Sequence, residues 1–191
     1  MNHLKISNSS LTINISDGRI NGDNVIESKR LLKDLKNFYE DEESRSAMLQ
    51  DELIYEVQAI LPVDQDTEGG LFFGRTVIQP GKVGNEYFMT KGHFHGKPDR
   101  GEYYWCLQGE GMLILMDRKR KTWAERMTRG SLHYIPGYTA HRTANTSENP
   151  LIFEACWPSD AGYDYQEIQK NGFSARLKEV NGKPLLESAK D

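Results

Sequence analysis

From residue 53 onward, apolar and polar positions alternate along the chain. In DELIYEVQAIL, Leu53, Tyr55, Val57, Ala59 and Leu61 fall on every second position, and a period of two puts them on one face of a half-buried strand. Further short runs follow: LFFGRTVIQ, EYFMTKGHFH, YYWCLQ, GMLILMD, SLHYIP, HRTANT and LIFEACW, divided by Gly- and Pro-bearing turns such as PGKVGN. Short strands at roughly ten-residue spacing predict a mainly β sandwich or closed barrel. Upstream, Leu31, Leu32, Leu35, Phe38 and Tyr39 stand at helical spacing and predict one helix from Ile26 to about Gln50. The acidic run Glu40 to Glu43 reads as a solvated face or loop. The chain is thus expected to divide into an N-terminal extension with one helix, packed on the barrel (1–50), a barrel (51–175) and a C-terminal tail (176–191).

A length of 191 residues, 37% hydrophobic and 27% charged, suits one soluble domain with a core. The opening MNHLKISNSSLT lacks the apolar centre of a secretory signal, and no run approaches a membrane span. A cytoplasmic protein without a membrane partner is expected. Cys106 and Cys156 lack CxxC spacing and are expected to be reduced core residues. A formal charge of −4 argues against a nucleic-acid partner, which needs a basic field. A small anionic ligand stays compatible, because Lys91, Lys97, Arg100 and Arg142 flank the histidines.

Those histidines hold the candidate chemistry. The stretch TKGHFHGKPDRGEYYW carries two of the chain's five, His93 and His95, which a strand would point to the same face. Glu102 and Tyr104 would share a face of the next strand, after a turn through Gly96, Lys97 and Pro98. His141 and His133 both compete for a third place, and periodicity does not separate them. Three imidazoles and a carboxylate suit a divalent transition metal and leave room for substrate on an octahedral ion. The same histidines also suit an ordinary strand, Gly92 a β-bulge, Thr76 and Thr90 plain β propensity, and Tyr55, Tyr104 and Tyr138 an amphipathic wall.

Longer motifs sharpen this reading. EYYWCLQG, with six residues between Glu102 and Gly109, and GSLHYIPGYTAHRTAN, with Pro136 before His141 and Asn145, resemble the two motifs of the cupin superfamily. The likeness selects His141 over His133. It departs from the usual pattern in the six residues between His95 and Glu102, and in a glycine displaced to Gly137 with Tyr138 in its place. PGKVGNEYFMTKGHFHGKPDRGEYYWCLQGEG, PGYTAHRTAN and WPSDAGYDY together are similar to the cupin-type phosphoglucose isomerases, from about Ile54 to Phe173.

The resemblance implies a double-stranded β-helix (cupin or jelly-roll) barrel, usually a homodimer, to which the helical spacing upstream adds an N-terminal helical addition. It implies one divalent transition metal per subunit, iron first, with manganese, nickel, zinc and cobalt as alternatives. His93, His95, Glu102 and His141 match the metal ligands. The implied activity interconverts glucose 6-phosphate and fructose 6-phosphate, with Glu102 as base and Tyr104 and Lys91 as proton donors or orienters. Tyr55, Thr76, Thr90, Gly92, Tyr138 and Tyr165 match positions around the sugar phosphate. Trp157 stands there where a tyrosine is usual and Tyr163 where a histidine is usual. A metal-assisted hydride shift competes with proton transfer. A cupin dioxygenase on the same ligand set, or a non-catalytic sugar-phosphate-binding cupin, are the alternative functions.

Overall fold

The structure, a computed structural model, describes residues 6–189. Its elements run β1 (Leu11–Ile13), β2 (Ile20–Gly22), β3 (Ile26–Leu31), a 3-10 turn (Leu32–Leu35), α1 (Glu42–Ala47), β4 (Leu53–Ile60), β5 (Leu71–Ile78), β6 (Lys82–Val83) and β7 (Glu86–Tyr87). After them come β8 (Glu102–Gln108), β9 (Glu110–Asp117), β10 (Thr122–Thr128), β11 (Leu132–Ile135), β12 (Thr139–Asn145), β13 (Leu151–Pro158), α2 (Gln166–Asn171), β14 (Ala175–Val180) and β15 (Lys183–Ser188). None of the described helices is long and apolar enough to cross a membrane.

A six-stranded antiparallel sheet in the order β11-β8-β13-β5-β4-β3 faces a three-stranded one, β10-β9-β12. The mainly β expectation from alternation and turn spacing is met. Directly opposed residues of antiparallel strands share a face, so the register carries one inward face across the large sheet. Val57 opposes Thr76, Thr76 opposes Phe153 and Gly74 opposes Ala155, and Ala155 opposes Tyr104. Between the sheets, Leu113, Leu115, Met116, Phe153 and Ile78 are buried in one cluster, each worth roughly 1.5–3 kcal/mol in transfer terms. Cys106 and Cys156 are both free, but only Cys106 is fully buried.

The expected helix over 26–50 is absent. Residues 26–31 form β3, which pairs with β4 from Ile26↔Ala59 to Leu31↔Leu53. Only the six residues of α1 are α-helical there, with Asp41 capping the amide of Ser44. The physical reason lies in Leu32 and Leu35, both fully buried: an i, i+3 pair lines up on a 3-10 turn as well as on an α-helix. The residues before them satisfy their backbone groups on the edge of β4 instead. Downstream of 175, where a tail was expected, β14 and β15 form a hairpin in a four-stranded sheet with β7 and β6.

β12 departs from ordinary patterning. Its seven residues TAHRTAN are all buried although most are polar. The large sheet covers one side, and on the other the Arg142 guanidinium lies 4.3 Å from the ring centre of Phe173. Buried polar groups need partners: Asn145 donates to the carbonyls of Ile78 at 3.0 Å and Asn149 at 2.9 Å, and Arg142 donates to that of Lys91 at 2.7 Å. A polar strand kept in the interior carries something other than packing.

Candidate active site

The segment after β7 is not the continuous strand expected for EYFMTKGHFH. It touches its neighbours through isolated bridges, Met89↔Ala144, His93↔His141 and Phe94↔Asp164. The kink is at Gly92, with φ of 74°, where an added Cβ would sit 2.9 Å from the His141 carbonyl oxygen and 2.9 Å from the Arg142 Cβ. Only glycine lets the two backbones come this close in that conformation. His93 and His95 then follow on alternate positions beside β12.

The ligand-capable ring nitrogens of His93, His95 and His141 lie within 4.8 Å of one another. Glu102, 6% exposed at the start of β8, aims Oε2 at them: it is 3.1 Å from His95 Nε2 and 3.2 Å from His141 Nε2. His95 Nδ1 donates to the Arg100 carbonyl at 2.8 Å. A carbonyl only accepts, so this bond fixes the proton on Nδ1 and frees Nε2. His93 Nε2 and both ring nitrogens of His141 are buried without a hydrogen-bond partner. Orphaned buried nitrogens around a carboxylate fit a divalent transition ion in residue type and placement.

Within that donor set burial lowers His95, but Glu102 and the Arg100 carbonyl outweigh it and raise the ring, so an ion on Nε2 would have to displace a proton. Burial, with His141 and His95 alongside, holds His93 well below its usual range, so the ring is neutral. Burial pushes the Glu102 carboxyl up, but His141 and His95 outweigh it and hold the group at about 2. His133, the rival to His141, is spent elsewhere: its ring bonds to Glu125 at 2.7 Å and Ser131 at 2.8 Å, at the β11 edge.

Above the carboxylate opens a cavity of about 290 Å³, near the lower end of the roughly 300–1,000 Å³ usual for ligand pockets. Tyr55, Thr76, Thr90, Lys91, Gly92 and Tyr104 line it. Trp157, Tyr163 and Tyr165 line it too, with Tyr163 stacked on Tyr165 at 5.9 Å and edge-on to His93 at 4.9 Å. Burial pushes the phenols of Tyr55 and Tyr163 up to about 12 and raises that of Tyr104 well above its ordinary range, so all three stay protonated donors. Burial and the nearby Arg30 lower Lys91.

The structure does not bring every expected residue in. Tyr138 is 57% exposed on the turn before β12, with a left-handed φ of 62°, and is not part of the cavity wall. Of the four cations flanking the histidines, Lys91 alone lines the cavity. Lys97 and Arg100 pair with Asp160, and Arg142 is buried behind the site. Conversely, Ser28 and Arg30 of β3 line the wall unforeseen, as do the small residues Gly74 and Ala155. At Gly74 a Cβ would meet the Trp157 ring at 3.0 Å. A glycine inside LFFGRTVIQ was the available signal for that close approach.

Comparison with known proteins bears on this geometry. A family model described as glucose-6-phosphate isomerase matches residues 29–189. The glucose-6-phosphate isomerase of Thermococcus litoralis is 45% identical over 166 residues, covering 86% of each chain. That of Thermococcus kodakarensis is 46% identical over 154 residues, 80% of each chain. Among solved structures, an oxalate decarboxylase from Bacillus subtilis is similar with a TM-score of 0.45 and 17% identity, over 57% of this chain and 26% of that one.

Proposed function

The chain belongs to the glucose-6-phosphate isomerase family, and on that premise we propose that it interconverts glucose 6-phosphate and fructose 6-phosphate at a metal held beneath the cavity. One observation carries the site: the Glu102 carboxylate oxygen stands 3.1 and 3.2 Å from the Nε2 atoms of His95 and His141. His93, His95, His141 and Glu102 would hold one divalent transition ion, iron ahead of manganese, nickel, zinc and cobalt. When bound, such an ion supplies Lewis acidity toward the two sugar oxygens that exchange roles.

The chain's own groups do the rest. The Glu102 carboxylate accepts the proton on C2 of the open-chain aldose, and the C–H electron pair becomes the C1=C2 bond of an enediol. Tyr104, or Lys91, gives a proton to O1. The proton on Glu102 returns to C1 as O2–H gives its own back to the group that protonated O1, and C2 becomes the carbonyl. A carboxylate held at about 2 is a weak base, so its service here depends on position more than on basicity. Thr76, Thr90, Gly92 and Tyr55 are suited to the sugar phosphate, with charge from Lys91 and the newly found Arg30. Trp157, Tyr163 and Tyr165 would shield the enediol from water.

The reading includes a homodimer. On the outer face of the large sheet Tyr103, Trp105, Leu132 and Tyr134 are 45–65% exposed, an apolar set that a second copy would cover.

The deciding experiment assays fructose 6-phosphate turnover before and after chelation and reloading, with oxygen uptake followed in parallel. Turnover restored by a divalent first-row ion without oxygen uptake is expected. Binding without turnover under any metal would favour the non-catalytic alternative.

A further inference from the structure

Asp160 lies outside the cavity and is only 3% exposed, yet it is held by charge from two residues. Arg100 donates Nε to its Oδ1 at 2.9 Å and Nη2 to its Oδ2 at 2.8 Å, a fork that grips both carboxylate oxygens. Lys97 Nζ adds a third bond at 3.0 Å. Both cations belong to the loop between His95 and Glu102. The main-chain amide of Lys97 also donates to the Ala161 carbonyl at 2.9 Å.

Arg100 therefore has two ends. Its side chain is fixed by Asp160, and its carbonyl receives Nδ1–H of His95 at 2.8 Å. If the loop shifted, that carbonyl would move and His95 would lose the contact that keeps Nε2 free and aimed at Glu102. Asp160 also begins the stretch carrying Tyr163 and Tyr165 to the cavity, which Phe94 and Asp164 tie down by exchanging main-chain bonds of 3.1 and 2.8 Å.

We propose that Asp160 is a positioning residue: acting through the Arg100 guanidinium, it sets the carbonyl that orients His95, and so determines how tightly and in what geometry the site takes its metal. The proposal rests on His95 being a ligand. Lys97 contributes charge without geometry, since its side chain is 49% exposed while that of Arg100 is 32% exposed. Groups that hold a ligating histidine from behind typically govern metal affinity by about 10–100-fold.

The test titrates metal-free protein with Co²⁺ against a chelating indicator and records the visible spectrum of the Co²⁺-loaded protein, beside the melting temperature of the metal-free form. Asp160→Asn should bind Co²⁺ about 10–100-fold more weakly and show an altered visible band at saturation. Arg100→Lys keeps the charge but not the fork, and should weaken binding by several-fold while folding as the parent does. Lys97→Met should match the parent. Asp160→Asn combined with Arg100→Lys should be no weaker than Asp160→Asn alone, because both act through one contact. A simple structural role would lower the melting temperature and leave affinity and spectrum alone, which would overturn the proposal. Should Asp160→Asn fail to fold, parent-like Co²⁺ affinity and spectrum in Arg100→Lys would overturn it instead. His95→Ala separates the premise: if it binds Co²⁺ as the parent does, the ligand reading has failed; if it binds weakly while Asp160→Asn and Arg100→Lys bind normally, only the role of Asp160 has.

Discussion

His93 and His141 exchange both main-chain hydrogen bonds: the amide of His93 donates to the carbonyl of His141 at 3.2 Å, and that of His141 returns the bond at 3.1 Å. Two candidate ligands from distant parts of the chain are thereby locked by backbone before either ring is considered. Gly92 is what permits it.

Gly92→Ala should therefore damage the fold and the site together. The left-handed conformation alone costs a residue with a Cβ roughly 1–2 kcal/mol, and the contact with the His141 carbonyl adds to that. Denaturant melts should show the loss at an unchanged slope. A melt equal to the parent's would mean that the bridge tolerates more adjustment than its geometry suggests.

Substituting His93, His95 or His141 by Ala should remove the metal and turnover together, whereas His133→Ala should keep both. Elemental analysis of the purified variants reads this directly. His133 already has Glu125 and Ser131 as partners, so metal lost from His133→Ala and retained in His141→Ala would reverse the assignment.

With metal saturating, Glu102→Gln should bind fructose 6-phosphate yet turn it over ~10²–10⁴-fold more slowly, the usual loss on removing a general base. The amide keeps the shape and cannot take the proton. A rate within a few-fold of the parent, measured at saturating metal, would transfer the mechanism to a hydride shift between C2 and C1.

Asp160 also makes an acid-stability prediction. Its bonds to Arg100 and Lys97 hold its carboxyl far below the ordinary range. Between that depressed value and the unfolded one of about 3.9, the unfolded chain binds the extra proton, so stability rises with pH there. The contribution is complete above about pH 4 and is lost as the pH falls through the folded value. Melting temperatures from pH 5 down should fall for the parent, and Asp160→Asn should fall less steeply; parallel curves would remove Asp160 from the acid response.

The legible parts of the site were those set by local spacing. His93 and His95 stand two apart, whereas His141 was singled out over His133 only by the likeness of the Pro136-to-Asn145 stretch to a known motif. What stayed hidden depended on long-range pairing. Arg30 and Ser28 reach the cavity because β3 finds β4, and the apolar spacing of Leu31, Leu32 and Leu35 cannot reveal that partner. Tyr138 was carried in by likeness of motif, but its positive φ turns the residue out to solvent. Asp160 was not legible, since a lone acid between Ser159 and Ala161 shows its worth only once Arg100 stands opposite.

The placement of β3 has a consequence of its own. It is the last strand of the six-stranded sheet, and its pairing covers the outward backbone groups of β4 along Leu53–Ile60. Stripped of β3, the chain would offer β4 as an open template of unpaired N–H and C=O groups, to which another molecule could add a strand. A variant with β3 unseated should accordingly be lost first to self-association, visible as concentration-dependent light scattering, before any weakening of its chemistry could be measured.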